Sequence, residues 1–360
     1  MSPARGIVLT GATGFLGMEV LVRLLERTDR PVVTLVRAAD DAEAQARMDG
    51  VLATLFAPGN RPDPRRVRAV AADLERPGLG LPERGLDAVA DAAGIVVHCA
   101  ASVSFALPLD EARQINVAGT AEVLALARRA RARGALDRVV HVSTAYVAGE
   151  REGRILESDG DVGQRHRNTY EQTKLEAEAL VEAAGLPVAI LRPSIVVGDS
   201  RTGWTPAFNV IYWPLQAFAR GMLSRVPADP DGRVDIVPVD VVADAIVELV
   251  TGPRRTERFH VVAGDRAPSC QELATLAAGA FGRETPAFVA PGTDPPAEDQ
   301  AGVFLPYFRM RSVFDGGAGA ALTPPAPPLA SYFDTLMAYA RDARWGRVPM
   351  ARWERAAVPV

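Results

Sequence analysis

Tyr170 and Lys174 are side chains whose types and spacing could do chemistry together. In a helix, a separation of four residues places both on one face, one turn apart. A neighbouring ammonium group favours the phenolate, so the pKa of Tyr170 is expected to fall and the phenol could act as an acid or base near neutral pH. Thr144 follows the core of the predicted strand 138–143, where a hydroxyl could hydrogen-bond a substrate carbonyl oxygen that gathers negative charge. Taken singly, the helix pair could be a solvated face, and Thr144 could simply cap the next turn.

A glycine-rich turn lies directly behind the apolar run 7–9 and ahead of an amphipathic helix. Glycines allow backbone N–H groups to approach a diphosphate, which then lies at the positive end of the helix. A tight strand-to-helix turn without a ligand is the alternative, but the position at the start of a strand–helix unit favours a dinucleotide. The residues expected to contact it here are Thr10, Gly11, Thr13, Gly14, Phe15, Leu16 and Gly17.

The elements that must position these residues alternate between apolar strands and helices through the first two thirds of the chain. Such alternation predicts an α/β fold with a Rossmann-like, doubly wound parallel sheet, because parallel strands need crossover connections. Ligands of such sheets bind at the carboxyl ends of the strands, which is where the residues above fall. The predicted strands are 6–10, 32–36, 67–71, 95–99, 138–143 and 188–192, and the predicted helices include 17–27, 117–133 and 170–184.

The rest of the chain is expected to form a smaller C-terminal substrate-binding region. We assign residues 1–200 to the nucleotide-binding domain, with a strand and helix returning to it near 234–265, and residues 201–360 mainly to that region. The apolar, aromatic stretch 204–223 could be ordinary core or the wall of an apolar substrate pocket. The further predicted segments are an insertion at 38–64 that contains a helix over 41–56, loops or a mobile lid over the Pro- and Gly-rich stretch 286–328, and a helix over 329–341.

Composition excludes several classes of protein. The 360 residues are 48% hydrophobic and 23% charged with a net charge of −4, a soluble profile without the basic footprint of a nucleic-acid-binding protein. No apolar run is long enough for a membrane span or a signal peptide, and the four histidines lack metal-ligand spacing, so we expect no metal site. Two cysteines fit a reducing, cytoplasmic location.

Two features invite functional interpretations with ordinary alternatives. Cys99 could serve as a covalent nucleophile, but its strand is apolar and the neighbouring His98 points to the opposite face, so a buried core thiol is favoured. Arginines at 128, 129, 131 and 133 could meet phosphopantetheine or an acidic carrier protein, although such a run is more often a solvated helix end.

The glycine turn, the strand-end hydroxyl and the Tyr/Lys helix follow one another in the order that one active site would need. Over residues 5–265 the chain therefore resembles an extended short-chain dehydrogenase/reductase. The resemblance implies that Tyr170 is the proton donor, Lys174 the ribose anchor and Thr144 the carbonyl polariser. Asn116 matches the structural asparagine whose backbone helps to hold a proton relay. The implied cofactor contacts further along the chain are Asp73 and Leu74 at the adenine, Ala100 and Ala101 beside the nicotinamide ribose, and Pro193 and Ser194 at the nicotinamide end.

Arg37 predicts the choice of cofactor. It ends the second predicted strand, and no acidic residue stands there to hold the ribose hydroxyls of NAD. A guanidinium favours a 2′-phosphate through charge-assisted contacts, so we expect NADPH rather than NADH. A solvated strand-end charge is the alternative.

A finer resemblance is to reductases of acyl thioesters, namely the terminal reductase domains of non-ribosomal peptide synthetases and carboxylic acid reductases, and fatty acyl-CoA reductases. Residues 35–38, 98–103, 141–147, 192–203 and 235–240 carry it, whereas 286–360 matches nothing assignable. It implies NADPH-dependent reduction of an acyl-CoA or carrier-bound acyl thioester to an aldehyde or alcohol. The alternatives are a ketone or hydroxyl oxidoreductase of the hydroxysteroid or β-keto acid type, a nucleotide-sugar epimerase, and a non-catalytic nucleotide-sensing regulator.

Overall fold

The computed structural model describes residues 5–290 and 302–356 and is built on a parallel sheet. Its strands, in chain order, are β1 (Gly6–Thr10), β2 (Val32–Val36), β3 (Val67–Ala71), β4 (Ala93–His98), β5 (Arg138–Val142), β6 (Gly153–Ile155), β7 (Val188–Pro193), β8 (Ile195–Val197), β9 (Arg225–Val226), β10 (Ile236–Pro238), β11 (Arg258–Val261), β12 (Ala287–Phe288) and β13 (Ser312–Phe314). Seven of them form one sheet in the order β11-β7-β5-β4-β1-β2-β3. The pairs β10–β8, β12–β9 and β13–β6 are separate two-stranded ribbons.

Helices cover both faces of the sheet. They are α1 (Phe15–Arg27), α2 (Asp41–Leu55), α3 (Glu83–Ala92), α4 (Leu109–Arg113), α5 (Gly119–Ala132), α6 (Thr169–Ala183), α7 (Tyr212–Ala219), α8 (Val239–Thr251), α9 (Cys270–Phe281), α10 (Phe333–Asp342) and α11 (Arg352–Ala356). Helices α1, α2 and α8 pack on one face, and α3, α5 and α6 on the other. The strands between them are buried on both sides, which explains their continuous apolar runs.

The α/β doubly wound fold is therefore confirmed, and the six predicted strands of the sheet lie within two residues of their expected bounds. The seventh strand, β11, returns from the stretch 234–265 and pairs with β7. A single π-helical turn, Gln114–Ala118, precedes α5, so the regular helix begins two residues later than predicted.

The C-terminal part of the chain has an apolar core of its own, to which α7, α9 and α10 contribute. A 3-10 helix over Gly302–Arg309 packs into it through the buried side chains of Phe304, Tyr307 and Phe308. The expectation of loops or a mobile lid over 286–328 is wrong for 302–314, because apolar residues three and four apart allow a short helix to pack despite the surrounding prolines. Residues 291–301 of that stretch lie outside the described residues.

Within 5–290 and 302–356, no helix combines the length and apolar character needed to cross a bilayer. The same ranges contain no cluster of three or more His, Cys, Asp or Glu side chains arranged to hold a metal ion.

Candidate active site

Three of the predicted site residues, Thr144, Tyr170 and Lys174, meet at the carboxyl edge of the sheet. Helix α6 begins there because Asn168 caps it, its side chain accepting a hydrogen bond from the backbone N–H of Glu171 (3.0 Å). Tyr170 lies in the first turn of the helix, with the Thr144 hydroxyl beside its phenol. The spacing prediction that placed these groups in one site is thus reproduced by the geometry.

Lys174 is buried against the sheet. Its Nζ donates a hydrogen bond to the carbonyl oxygen of Val142 (2.8 Å), the last residue of β5. Burial penalises the charged ammonium and lowers its pKa to about 8, although the carboxylate of Glu178 one turn further along acts in the opposite direction. The hydrogen bond therefore fixes the direction of the Lys174 side chain at the end of β5.

The pKa of Tyr170 differs from the sequence-based expectation. It is raised to about 12, because burial of the phenol outweighs the opposite effect of its hydrogen bond with the Thr144 hydroxyl, and Glu171 adds a negative charge nearby. The expectation that Lys174 would lower it is wrong for this structure, since the ammonium is turned to the Val142 carbonyl. Tyr170 is therefore a neutral phenol near pH 7, which suits a proton donor.

Thr144 is buried at the end of β5, next to the last residue of β7. Its hydroxyl accepts from the backbone N–H of Tyr146 (3.2 Å) and donates to the carbonyl oxygen of Pro193 (3.3 Å). The capping role considered for Thr144 is thus real, and it coexists with the position beside Tyr170. Both Pro193 and Ser194 lie at this edge, directly after the buried part of β7.

Asn116 lies in the π-helical turn and joins two parts of the site. Its side chain bonds both backbone groups of Ser102, in the loop after β4 (2.8 and 3.1 Å), and donates to Thr173 Oγ1 on α6 (3.0 Å). The asparagine therefore fixes the strand-end loop against the helix that carries Tyr170 and Lys174.

A buried chain of hydrogen bonds through His98 extends from Asn116 to the glycine turn. The Thr120 hydroxyl donates to the Asn116 carbonyl (2.6 Å), so it accepts from His98 Nε2 (3.1 Å). His98 Nδ1 then accepts from the Thr10 hydroxyl (2.8 Å), which in turn accepts from the N–H of Ala100 (3.2 Å). Burial lowers the pKa of His98 to about 3, in keeping with a neutral ring whose proton is on Nε2.

The glycine turn is shaped for close backbone approach. Gly11 has a φ of +76°, and a Cβ there would lie 2.7 Å from the backbone nitrogen of Ala100. A Cβ on Gly17 would lie 2.0 Å from the Gly11 carbonyl oxygen. In the described ranges no side chain caps α1 at Gly14, so its first amides are left to a ligand or solvent. Thr13 and Gly14 are exposed and Phe15 and Leu16 half-buried at this helix start, so the turn fits a diphosphate.

The remaining predicted cofactor residues lie along the same edge. Asp73 and Leu74 follow β3, and Ala100 and Ala101 follow β4. Arg37, after β2, is 77% exposed with its Nη1 3.4 Å from a Glu75 carboxylate oxygen. Its guanidinium is thus free to turn to a phosphate at the adenine end, so these positions together fit a dinucleotide across the edge.

An aromatic wall beside Tyr170 was not predicted. Phe105 stacks on the Tyr170 ring at 5.8 Å between centroids, and Tyr307 stacks on Phe105 at 5.4 Å. Tyr307 Oη donates to the buried carboxylate of Glu171 (2.6 Å) and accepts from Asn168 Nδ2 (2.8 Å). For Phe105 the sequence offers one signal, an aromatic residue shortly after the end of a predicted strand. Tyr307 lies in a stretch without periodicity, so no sequence pattern marks it.

The structure favours the ordinary interpretations of Cys99 and of two arginines in the run. Cys99 is half-buried at the end of β4, and burial raises the pKa of its thiol to about 12, which leaves it a poor nucleophile. Arg129 and Arg133 pair with carboxylates of α3 at the far end of α5. Because α5 starts near the site and runs away from it, that end lies at the opposite edge of the sheet.

Comparison with known proteins identifies the family of the chain. A family model described as "Male sterility protein", for an NAD-binding family, matches residues 9–246. "Fatty acyl-CoA reductase 1" of Homo sapiens is 33% identical over 306 residues, covering 73% of this chain and 59% of that protein. A linear gramicidin synthase polypeptide of Brevibacillus parabrevis is 32% identical over 272 residues, 72% of this chain and 5% of that protein. The chain thus spans little more than half the length of the acyl-CoA reductase and a small part of the gramicidin synthase polypeptide.

Solved structures show the same fold. The terminal R domain from the myxalamid PKS-NRPS biosynthetic pathway has a TM-score of 0.81 at 27% identity and covers 97% of this chain and 94% of that chain. UDP-glucuronic acid 4-epimerase from Bacillus cereus, solved with NAD, has a TM-score of 0.69 at 19% identity, with 97% of this chain and 99% of that chain covered. The second likeness concerns the fold alone.

Proposed function

The chain belongs to the NAD-binding family described as "Male sterility protein", and from that premise we propose that it is an NADPH-dependent reductase of acyl thioesters. The observation that carries the proposal is the meeting of Thr144, a neutral Tyr170 and Lys174 at the edge that the glycine turn also faces. The names of its relatives, a fatty acyl-CoA reductase and a gramicidin synthase, favour a thioester over a ketone or a nucleotide sugar.

When bound, reduced nicotinamide supplies a hydride to the thioester carbonyl carbon. The glycine turn would hold its diphosphate, and the Lys174 ammonium would hold the ribose. The Thr144 hydroxyl would hydrogen-bond the substrate carbonyl oxygen, and the Tyr170 phenol would give that oxygen its proton. The resulting hemithioacetal would lose its C–S bond, returning the hydroxyl proton to Tyr170 and releasing an aldehyde and a thiolate that takes a proton from water. A second reduction would give the alcohol.

The acyl donor is proposed to be coenzyme A or a separate carrier protein. Both present the acyl group on a phosphopantetheine thiol, so one site can accept either. Support comes from two kinds of similar protein, a reductase named for acyl-CoA and the terminal R domain of a PKS-NRPS pathway.

The function is tested by mixing purified protein and NADPH with acyl-CoA, acyl-pantetheine, aldehyde and ketone substrates and following nicotinamide absorbance. We expect thioester-dependent oxidation of NADPH, with Tyr170→Phe at least about a hundredfold slower because it lacks the proton donor. Cofactor binding by Tyr170→Phe should be unchanged, which serves as the control for folding. If ketones or aldehydes are reduced and no thioester is, the result would contradict the proposal and identify a carbonyl reductase.

The choice of NADPH is tested separately at Arg37. Replacing it by alanine removes a charge-assisted contact to the 2′-phosphate, so the dissociation constant for NADPH should rise about tenfold while that for NADH stays the same. Arg65→Ala is the matched control, since Arg65 is exposed and precedes β3, at the opposite edge of the sheet. Equal effects of Arg37→Ala on the two cofactors would contradict the assignment.

A further inference from the structure

Trp204 joins the C-terminal part of the molecule to the glycine turn. It follows β8 and is fully buried. Its ring packs edge-on against the ring of Phe15, with 6.3 Å between centroids and 62° between planes, a favourable arrangement for an aromatic pair. Phe15 is the first residue of α1, the helix whose start has no side-chain cap. The indole therefore supports the residue at which the turn becomes a helix.

The loop that carries Trp204 is fixed by its own hydrogen bonds and by α8. The buried carboxylate of Asp199 accepts from the N–H and the hydroxyl of Thr202 (3.0 and 3.1 Å), and the N–H of Asp199 donates to the Trp204 carbonyl oxygen (3.1 Å). Ser200 donates to Asp240 in the first turn of α8 through its N–H (2.9 Å) and its hydroxyl (2.7 Å). The indole thus stands on a well-braced loop.

The segment 345–350 is the second element that contacts this loop. Trp204 Nε1 donates to the carbonyl oxygen of Met350 (3.1 Å). Trp345 packs edge-on against Phe208 at 6.4 Å between centroids. Trp345 also has a φ of +57°, a left-handed conformation that a tryptophan keeps only where the surrounding contacts hold it. The contacts with 204–208 therefore help to hold the segment in place.

We propose that Trp204 is a positioning residue for the dinucleotide, which acts through Phe15 and couples the glycine turn to the segment 345–350. The first amides of α1 would bind the diphosphate, and the amide of Phe15 is one of them, so the place of its ring bears on their direction. The inference rests on the proposed binding of the cofactor at the glycine turn and not on the choice of substrate. Because coupling is reciprocal, a bound cofactor should also hold 345–350 more tightly.

A double-mutant cycle tests whether Trp204 acts through Phe15, with isothermal titration calorimetry as the measurement. Trp204→Leu should raise the dissociation constant for NADPH about three- to tenfold, because the aromatic contact is lost. In a Phe15→Leu background the same change should have no further effect, since the ring that Trp204 supports is gone. Trp213→Leu is the matched control. Trp213 is half-buried in α7 and packs on Phe304, so its loss should leave the dissociation constant unchanged.

Limited digestion with trypsin tests the coupling to the segment 345–350 without any measurement of activity. Arg344 and Arg347 are exposed, and cleavage after each is located by mass spectrometry. NADP⁺ should slow both cleavages in the wild type about fivefold. Trp204→Phe keeps a ring but lacks the N–H that reaches Met350, so this protection should be lost. Cleavage after the exposed Arg65, at the opposite edge of the sheet, is the internal control.

A thermal melt of each variant shows whether it is folded, and Trp204→Phe replaces Trp204→Leu in the cycle if the latter is not. A dissociation constant unchanged by the Trp204 substitution, or additive effects of the Trp204 and Phe15 substitutions, would overturn the inference while the proposed function stands. Equal protection in the wild type and in Trp204→Phe would overturn the coupling to the segment. If the wild type binds neither NADPH nor NADH, the proposed function is wrong and this inference with it.

Discussion

Lys174 is the residue whose environment most directly ties the proposed site to pH. Its pKa of about 8, lowered by burial, means that the free protein begins to lose the ammonium charge just above physiological pH. The neighbouring phenol of Tyr170, with a pKa of about 12, keeps its proton over the same range. Between pH 7 and 9.5 the ionisation of Lys174 is therefore the change expected to govern how tightly the ribose is held.

We predict that affinity for NADPH falls as the pH rises through 8, by up to about tenfold per pH unit, because binding requires the protonated lysine. Fluorescence titration between pH 7 and 9.5 measures it. Lys174→Met should bind more weakly and show no such pH dependence. An affinity that is constant in the wild type would contradict the role of the ammonium group.

The ionisation of Lys174 does not itself destabilise the fold at high pH, so it cannot produce an apparent loss of affinity through unfolding. The unfolded chain has the ordinary lysine pKa of 10.5, so between pH 8 and 10.5 it binds more protons than the folded chain. The contribution of Lys174 to the free energy of unfolding therefore rises with pH in that window. A thermal melt at each pH serves as the control.

At the scale of elements, helix α6 is held by contacts in its second half and at its start. Glu178 of α6 forms a buried ion pair with Arg192 of β7 (2.9 Å). At the start of α6, Tyr307 of the 3-10 helix bonds the Asn168 cap and Glu171, and Glu171 also pairs with Arg167 (3.1 Å). The position of Tyr170 along the sheet edge thus depends on a segment more than a hundred residues away in sequence.

Tyr307→Phe tests this dependence. Loss of the hydroxyl leaves Asn168 Nδ2 and a Glu171 oxygen with one partner fewer, so the first turn of α6 should lose its fixed position. We expect kcat to fall by about tenfold while the dissociation constant for NADPH stays unchanged, since the glycine turn is not touched. Steady-state kinetics and cofactor titration separate the two quantities.

Tyr332→Phe is the matched control for that variant. Tyr332 is buried in the same C-terminal part, but its hydroxyl has no hydrogen-bond partner within the described residues. Its removal should leave kcat unchanged. If both variants lower kcat equally, the effect is general loosening of the C-terminal core and Tyr307 has no specific positioning role.

The sequence predicted the sheet, the glycine turn and the Tyr/Lys helix because each follows a regular pattern: continuous apolar runs, glycines between strand and helix, and a spacing of four. It could not predict the aromatic wall, because Phe105 and Tyr307 are about two hundred positions apart and a 3-10 helix of eight residues leaves no periodic signature. Nor could it predict the pKa of Tyr170, since that depends on burial and on where the Lys174 ammonium points.

At the scale of the whole molecule, the last described residues return to the nucleotide-binding part. Arg352 of α11 donates to Glu19 of α1 (2.7 Å), a carboxylate that is fully buried and also paired with Arg23. Trp353 Nε1 donates to the carbonyl oxygen of Ala53 in α2 (3.2 Å). The C-terminal part is thus joined to the sheet domain on the side of α1 and α2 as well as at the active site.

Arg352→Met should therefore lower the free energy of unfolding of the entire protein by about 1–3 kcal/mol, because a buried carboxylate loses a charged hydrogen-bond donor. Urea denaturation followed by circular dichroism measures it. Arg347→Met is the matched control, since Arg347 is exposed in the same stretch, and it should leave the midpoint unchanged. In a Glu19→Gln background the effect of Arg352→Met should shrink, because no buried charge remains to be paired. Equal midpoints for Arg352→Met and Arg347→Met would mean that α11 rests on the sheet domain without stabilising it.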